Sequence, residues 1–200
     1  MYDEGYNRRM LVRHVPNMVN QQHRVGFSDF PTGHEYFFDA PEKFKGNKLA
    51  AYGGNLTFTI SYEGSNEGER PRQLEVKLTG RGLTLVHRQP SGVINEEQLV
   101  RVVLSEASFR RGGERVSREE FLMVLAGLEE VRIRASFLNR NQLEALLGGV
   151  SMDFGQDVYA AEMADRMARV KATAVEICQC PVGYSGYSCE VSSKEIMMDR

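Results

Sequence analysis

Apolar and polar positions alternate along this chain in short bursts. Leu56, Phe58 and Ile60 interleave with Thr57, Thr59 and Ser61, so a strand here turns large apolar groups to one side and hydroxyls to the other. Leu74, Val76 and Leu78 repeat the pattern, Leu83 and Leu85 continue it, and Leu99 to Leu104 supplies a further apolar strand. Val131, Ile133, Ala135 and Phe137 alternate with Arg132, Arg134 and Ser136, and Val150, Met152 and Phe154 predict one strand more. Turn residues punctuate these runs at Gly64 to Gly68, Gly80 to Gly82, Pro90 to Gly92 and Gly112 to Gly113. A half-apolar strand needs a second sheet over its apolar face, so the pattern predicts an all-β fold, an antiparallel sandwich or barrel.

One helix interrupts the strands. Ser117 followed by Glu120 has capping-box spacing, and Phe121, Leu122, Val124, Leu125 and Leu128 form an apolar stripe at helical period behind it. The helix is expected near residues 118 to 129, packed over an open end or flank of the sandwich. Residues 1–31 show neither period and are expected to be an arm or linker. Residues 158–171, rich in Ala, Met and Arg, are expected to form a helix or loop, and Ala172 to Ile177 a last strand.

Composition narrows the function classes. Two hundred residues with 42% hydrophobic content and a formal charge of −2 describe one main domain with its own core. Near-balanced charge leaves no electrostatic footprint for nucleic acid, and no apolar run reaches the roughly 18 residues a membrane span needs. Met1 to Met10 carries Asp3, Glu4, Arg8 and Arg9 and lacks the apolar segment of a secretory signal. The expectation is an excised fragment, a chain whose signal has been removed, or an incomplete gene model. The three cysteines are Cys178, Cys180 and Cys189, an odd number within a short segment. From the residues alone, reduced intracellular thiols and oxidised secreted ones both stay open.

Candidate chemistry is sparse. No phosphate loop, zinc signature or nucleophile elbow is present. His14, His23 and His34 are unevenly spaced for a metal site, and no metal or other cofactor is expected. The adjacent carboxylates Glu96 and Glu97, or Glu129 and Glu130, diverge in direction and are expected to be solvated. His87 has no partner that sequence places beside it, and its replacement is expected to change little. Arg132 and Arg134 share what reads as an exposed strand face: they suit an acidic glycan, or they pair with carboxylates across the sheet. Asn55, Leu56 and Thr57 form an N-glycosylation acceptor.

Three segments carry a family resemblance. Tyr36, Phe37, Phe38, Asp39, Ala40, Pro41, Glu42, Lys43, Phe44, Lys45, Gly46, Asn47, Lys48, with Tyr52, Gly53, Gly54, Asn55, Leu56, Thr57 and Phe58, resembles the opening of laminin IV type A domains. Val116, Ser117, Arg118, Glu119, Glu120, Phe121, Leu122, Met123, Val124 and Leu125, then Val131 to Arg134, is similar to the late helix and following strand of these domains. Val175 to Cys189 looks like the return into a laminin-type EGF-like repeat. Such domains occur in laminin alpha and gamma chains and in perlecan.

The resemblance implies a jelly-roll-like β-sandwich over residues 32–177, a partial EGF-like segment over 178–190 and a disordered tail over 191–200. It implies a bond between Cys180 and Cys189, with Cys178 left for a cysteine upstream that this chain lacks. The tail lacks the further cysteines of the repeat and is expected to be a boundary artefact or an unusual splice end. The implied function is non-catalytic: an extracellular, basement-membrane module that spaces EGF-like repeats and contacts matrix proteins. The alternative is a glycosaminoglycan-binding module, which the absence of Trp disfavours and the eight tyrosines keep open. A hydrolase is the third reading.

Overall fold

The computed structural model describes residues 1–4, 8–16, 23–28, 30–31, 33–65, 68, 70–155, 184–185 and 191–192. The chain divides into two units, Met1–Phe154 and Gly155–Arg200. The first contains β1 (Tyr2–Asp3), β2 (Arg8–Arg9), β3 (Arg13–Pro16), β4 (His23–Ser28), β5 (Tyr36–Asp39), β6 (Asn55–Gly64) and β7 (Leu74–Gly80). It continues through β8 (Leu83–Gln89), β9 (Gln98–Val103), β10 (Arg110–Arg111), β11 (Glu114–Arg115), α1 (Arg118–Ala126), β12 (Leu128–Arg134) and β13 (Gln142–Met152). The second unit has one described feature, the antiparallel pair β14 (Tyr184–Ser185) and β15 (Val191–Ser192). The expected segments 158–171 and 172–177, and all three cysteines, lie outside the described residues.

The first unit is a β-sandwich of two antiparallel sheets. The larger runs β11-β10-β8-β7-β12-β5-β1-β2 and the smaller β3-β4-β13-β6-β9, and the chain crosses between them repeatedly, as in a jelly roll. Alternation places the core where it was expected. Leu56, Phe58, Ile60 and Tyr62 from β6 face Leu74, Val76 and Leu78 from β7, all buried. Tyr62 stacks on Phe137 with centroids 4.3 Å apart, and its hydroxyl lies 3.2 Å from Ser91 Oγ. Burial pushes that hydroxyl's pKa up, with the Ser91 hydrogen bond opposing.

The helix begins as its sequence requires. The Glu120 N–H donates to Ser117 Oγ at 3.1 Å, and the Ser117 N–H donates to Glu120 Oε2 at 3.0 Å. That backbone hydrogen bond holds the Glu120 carboxyl below the usual carboxylate range. A cap of this kind contributes about 1 kcal/mol. Phe121, Val124 and Leu125 seat the helix on the core, beside Phe109. The helix is shorter than its apolar stripe suggested, because Gly127 ends it and Leu128 already belongs to β12. A Cβ on Gly80 would fall 2.5 Å from the Gly127 carbonyl oxygen, so only glycine admits this close approach of helix end to strand.

Two expectations need correction. The described residues of the 1–31 segment are not a free arm: β1 pairs with β5 and β4 with β13, and Met1, Asp3 and Phe27 are buried. Backbone pairing to strands formed elsewhere replaces the missing alternation. The expected strand at Val150 to Phe154 is the end of the longer β13, and Phe154 is exposed beyond it. The turn before β13 is fastened by buried Gln142, whose Oε1 accepts from the N–H groups of Phe137 (2.6 Å) and Leu138 (3.0 Å) and whose Nε2 donates to Ala135 O (2.6 Å).

Candidate functional site

The outer face of the large sheet brings Arg132 and Arg134 together with charged side chains that the sequence pattern did not single out. In β12, Val131 and Ile133 turn inward, so Arg132 and Arg134 project outward beside Lys77 of β7, the cross-strand partner of Arg132. On the same face Glu75 is buried, and its oxygens lie 2.6 Å from Arg88 Nε, 3.4 Å from Arg134 Nη2 and 3.4 Å from Lys77 Nζ. Arg134 Nη1 also meets Glu35 Oε1 at 3.1 Å, and Arg72 reaches the same carboxylate at 3.4 Å. Lys77 pairs in addition with Glu4.

Aromatic rings complete this layer. Phe37, fully buried on the outer side, lies under Lys77 Nζ at 4.2 Å and the Arg134 guanidinium at 5.0 Å. The Arg132 guanidinium sits 3.5 Å from the centroid of Tyr2 and donates to Glu130 Oε1 at 2.6 Å. Cations stacked on rings in this way bury their charge against π density while keeping hydrogen bonds to carboxylates.

The electrostatics of Glu75 follow from its surroundings. Burial alone would raise its pKa, but the Arg88 hydrogen bond and the charges of Arg134, Lys77 and Arg88 together outweigh burial and hold the carboxyl below its usual value. Glu75 therefore acts as a permanent counter-ion for three cations at physiological pH.

Of the two readings of Arg132 and Arg134, the geometry shows the pairing with carboxylates and not an exposed basic face. Side-chain exposure is 14% for Arg132 and 6% for Arg134, and both are paired with carboxylates. The alternation identified which side they face but not that Tyr2, Glu4 and Glu35, distant in sequence, lie over it.

The other candidates resolve separately. Asn55 opens β6; its backbone N–H and Nδ2 donate to Asp153 Oδ2 at 3.0 and 2.9 Å. His87, given no role from sequence, is held: Nδ1 lies 2.7 Å from Ser108 O, Nε2 3.1 Å from Gln89 Oε1, and its ring packs on Phe109. It fastens β8 to the turn before β10, so the expectation of a dispensable side chain is withdrawn. Glu97 pairs with Arg24 at 3.3 Å, Glu129 accepts from the Arg81 N–H, and Glu130 holds Arg132, whereas Glu96 is exposed as expected. His34 Nδ1 lies 3.2 Å from buried Asp3 Oδ1 and joins β1 to the approach to β5.

A groove of about 630 Å³ has walls that include Val12, Val25, Phe38, Phe44, Ile133 and Leu147, with Asp39 and Lys43 as its charged groups. Among the described residues no cluster of three His, Cys, Asp or Glu side chains is arranged to hold a metal, and no helix is long and apolar enough to cross a membrane.

Comparison with known proteins matches the fold to a family. The model of the laminin B (domain IV) family covers residues 37–176. The chain is 34% identical over 175 residues to the mouse basement membrane-specific heparan sulfate proteoglycan core protein, covering 86% of this chain and 4% of that protein. It is 32% identical over 187 residues to a basement membrane proteoglycan of Caenorhabditis elegans (91% and 5%) and 32% over 164 residues to human laminin subunit alpha-1 (78% and 5%). It therefore spans about one twentieth of the length of these relatives. Among solved structures, the L4b domain of human laminin alpha-2 superposes with a TM-score of 0.61 at 19% identity, over 77% of this chain and 89% of that domain. With the two-sheet sandwich, its single described α-helix and this match over most of its length, the chain belongs to the laminin B (domain IV) family.

Proposed function

We propose that this domain is a non-catalytic structural module of an extracellular basement-membrane protein, working by shape and surface contacts with matrix proteins. Its relatives' names place them in basement membranes and laminins. The observation that carries the reading is the closed polar layer on the large sheet, where Glu75, Glu35, Glu4 and Glu130 engage the cations of their own chain. Such a layer stiffens a sandwich and leaves its charges committed. The test is a substrate screen of the purified chain against generic esterase, glycosidase and phosphatase substrates. No turnover above the buffer rate is expected, and turnover abolished by replacing one His, Glu or Asp would overturn the proposal.

The cysteine segment 178–190 belongs, in this proposal, to a laminin-type EGF-like repeat that the sandwich interrupts. The family match reaching residue 176 supports a domain that runs up to these cysteines. Cys180 is expected to bond Cys189, closing a loop worth roughly 2–4 kcal/mol, with Cys178 free or bonded between chains. Peptide mapping by mass spectrometry of protein made under oxidising conditions reads the pairing directly. A Cys178–Cys189 bond would show the repeat to be wrongly aligned. Asn55 is the proposed glycan attachment site; the bond to Asp153 engages its Nδ2, and N-linkage preserves one hydrogen on that nitrogen.

A further inference from the structure

The hairpin at the edge of the large sheet places Arg110 of β10 directly opposite Arg115 of β11. Its loop is Gly112–Gly113 with φ of +56° and +93°, a backbone that glycine adopts without strain and that pins the register of the two strands. Arg110 is also the partner of Val86, which faces Lys77, so the pair extends the outer face of the large sheet. Like charges directly opposite in a ladder repel.

Among the described residues neither Arg110 nor Arg115 is in an ion pair with a carboxylate. Arg110 Nη1 donates to the carbonyls of Ala107 (3.1 Å) and Phe109 (2.7 Å), which orient the guanidinium without cancelling its charge. Among the described residues Arg115 has no ion pair, and both side chains are exposed. The neighbouring Arg111 contrasts with them: it faces Glu114 across the ladder and pairs with Glu120 at 2.6 Å. None of the exposed large hydrophobic residues belongs to a strand of the large sheet. A protein partner ordinarily needs an apolar anchor, whereas a densely charged chain does not. Guanidinium forks match the oxygens of sulfate and hold them in two-pronged hydrogen bonds.

We propose that the Arg110–Arg115 pair is a contact site for a sulfated polysaccharide, whose sulfate groups bridge the two guanidinium groups and relieve their repulsion. This goes beyond the spacer role and does not depend on it, and it moves glycan contact away from Arg132 and Arg134.

The test is calorimetric titration of the full chain with a heparin-derived oligosaccharide and, separately, with polyglutamate of matching charge. Saturable oligosaccharide binding that weakens with salt is expected. The double variant R110Q/R115Q should weaken it about tenfold or more. Arg101→Gln, which removes an exposed charge from the small sheet, should change it less than about twofold. R115E should abolish binding and raise the thermal midpoint, since it replaces a repulsive cross-strand pair with an attractive one. Absence of saturable binding, or equal binding by R110Q/R115Q, would overturn the site. Polyglutamate binding as tightly as the oligosaccharide would overturn the sulfated ligand in favour of an acidic protein segment, and a lowered midpoint for R115E would remove the premise of repulsion.

Discussion

Phe58→Ala is expected to lower the unfolding free energy of the sandwich by about 3–5 kcal/mol. Phe58 has no exposed surface and lies on β6, which is paired with β13 on one side and β9 on the other. Its ring therefore meets neighbours held in place by two ladders, and they cannot collapse far into the space a truncation leaves. The loss combines the transfer free energy of the ring with an unfilled cavity. Thr57→Ala, one residue away on the other face, should change stability by less than about 0.5 kcal/mol. Urea unfolding of the two variants measures both, and equal losses would mean that β6 does not present Phe58 to the core.

Glu75→Gln produces the second large effect, about 2–4 kcal/mol at neutral pH, because it breaks a buried charge pair by removing one partner. Among the described carboxylates Arg134 would keep Glu35, and Lys77 would keep Glu4. The pH dependence carries the sign of a depressed carboxylate. Since the folded pKa lies below the unfolded one, Glu75 stabilises fully above the unfolded value near 4.3 and its contribution fades as pH falls through the folded value. Wild type should lose this increment on acidification, while Glu75→Gln, without the titrating group, should show a flatter acid limb. Thermal unfolding of both proteins across the acid range decides the matter; parallel acid limbs would show that Glu75 is not the counter-ion.

The strands that build the core were legible because burial on one face writes a period of two into the sequence. Leu56, Phe58 and Ile60, or Leu74, Val76 and Leu78, are strands whose other side is polar. Ser117 and Glu120 announced the helix because a cap is a local contact between residues three apart. The N-terminal strands left no such mark. Asp3 meets His34, Glu4 meets Lys77, and β4 borrows its geometry from β13, contacts between residues far apart in the chain.

The polar layer was half legible for a related reason. Alternation shows that Arg132 and Arg134 share a side, but what lies over that side is decided by strand order, which local pattern does not contain. Glu75 looked like any strand residue between two hydrophobic ones, although it is the carboxylate on which Arg88, Lys77 and Arg134 converge. The Arg110–Arg115 pairing was more accessible. Two glycines between Arg111 and Glu114 specify a two-residue hairpin loop, which sets the opposing residues, but the segment reads first as a turn.

Strand β13 has a mechanical consequence. It is eleven residues long, is held between β4 and β6, and is the last described strand before the chain passes into the second unit. Tension arriving from that side is transmitted first into a central strand, not a peripheral one. Extracting it lengthwise loads the hydrogen bonds of both flanking ladders together in shear, so β13 gives way only when both ladders do.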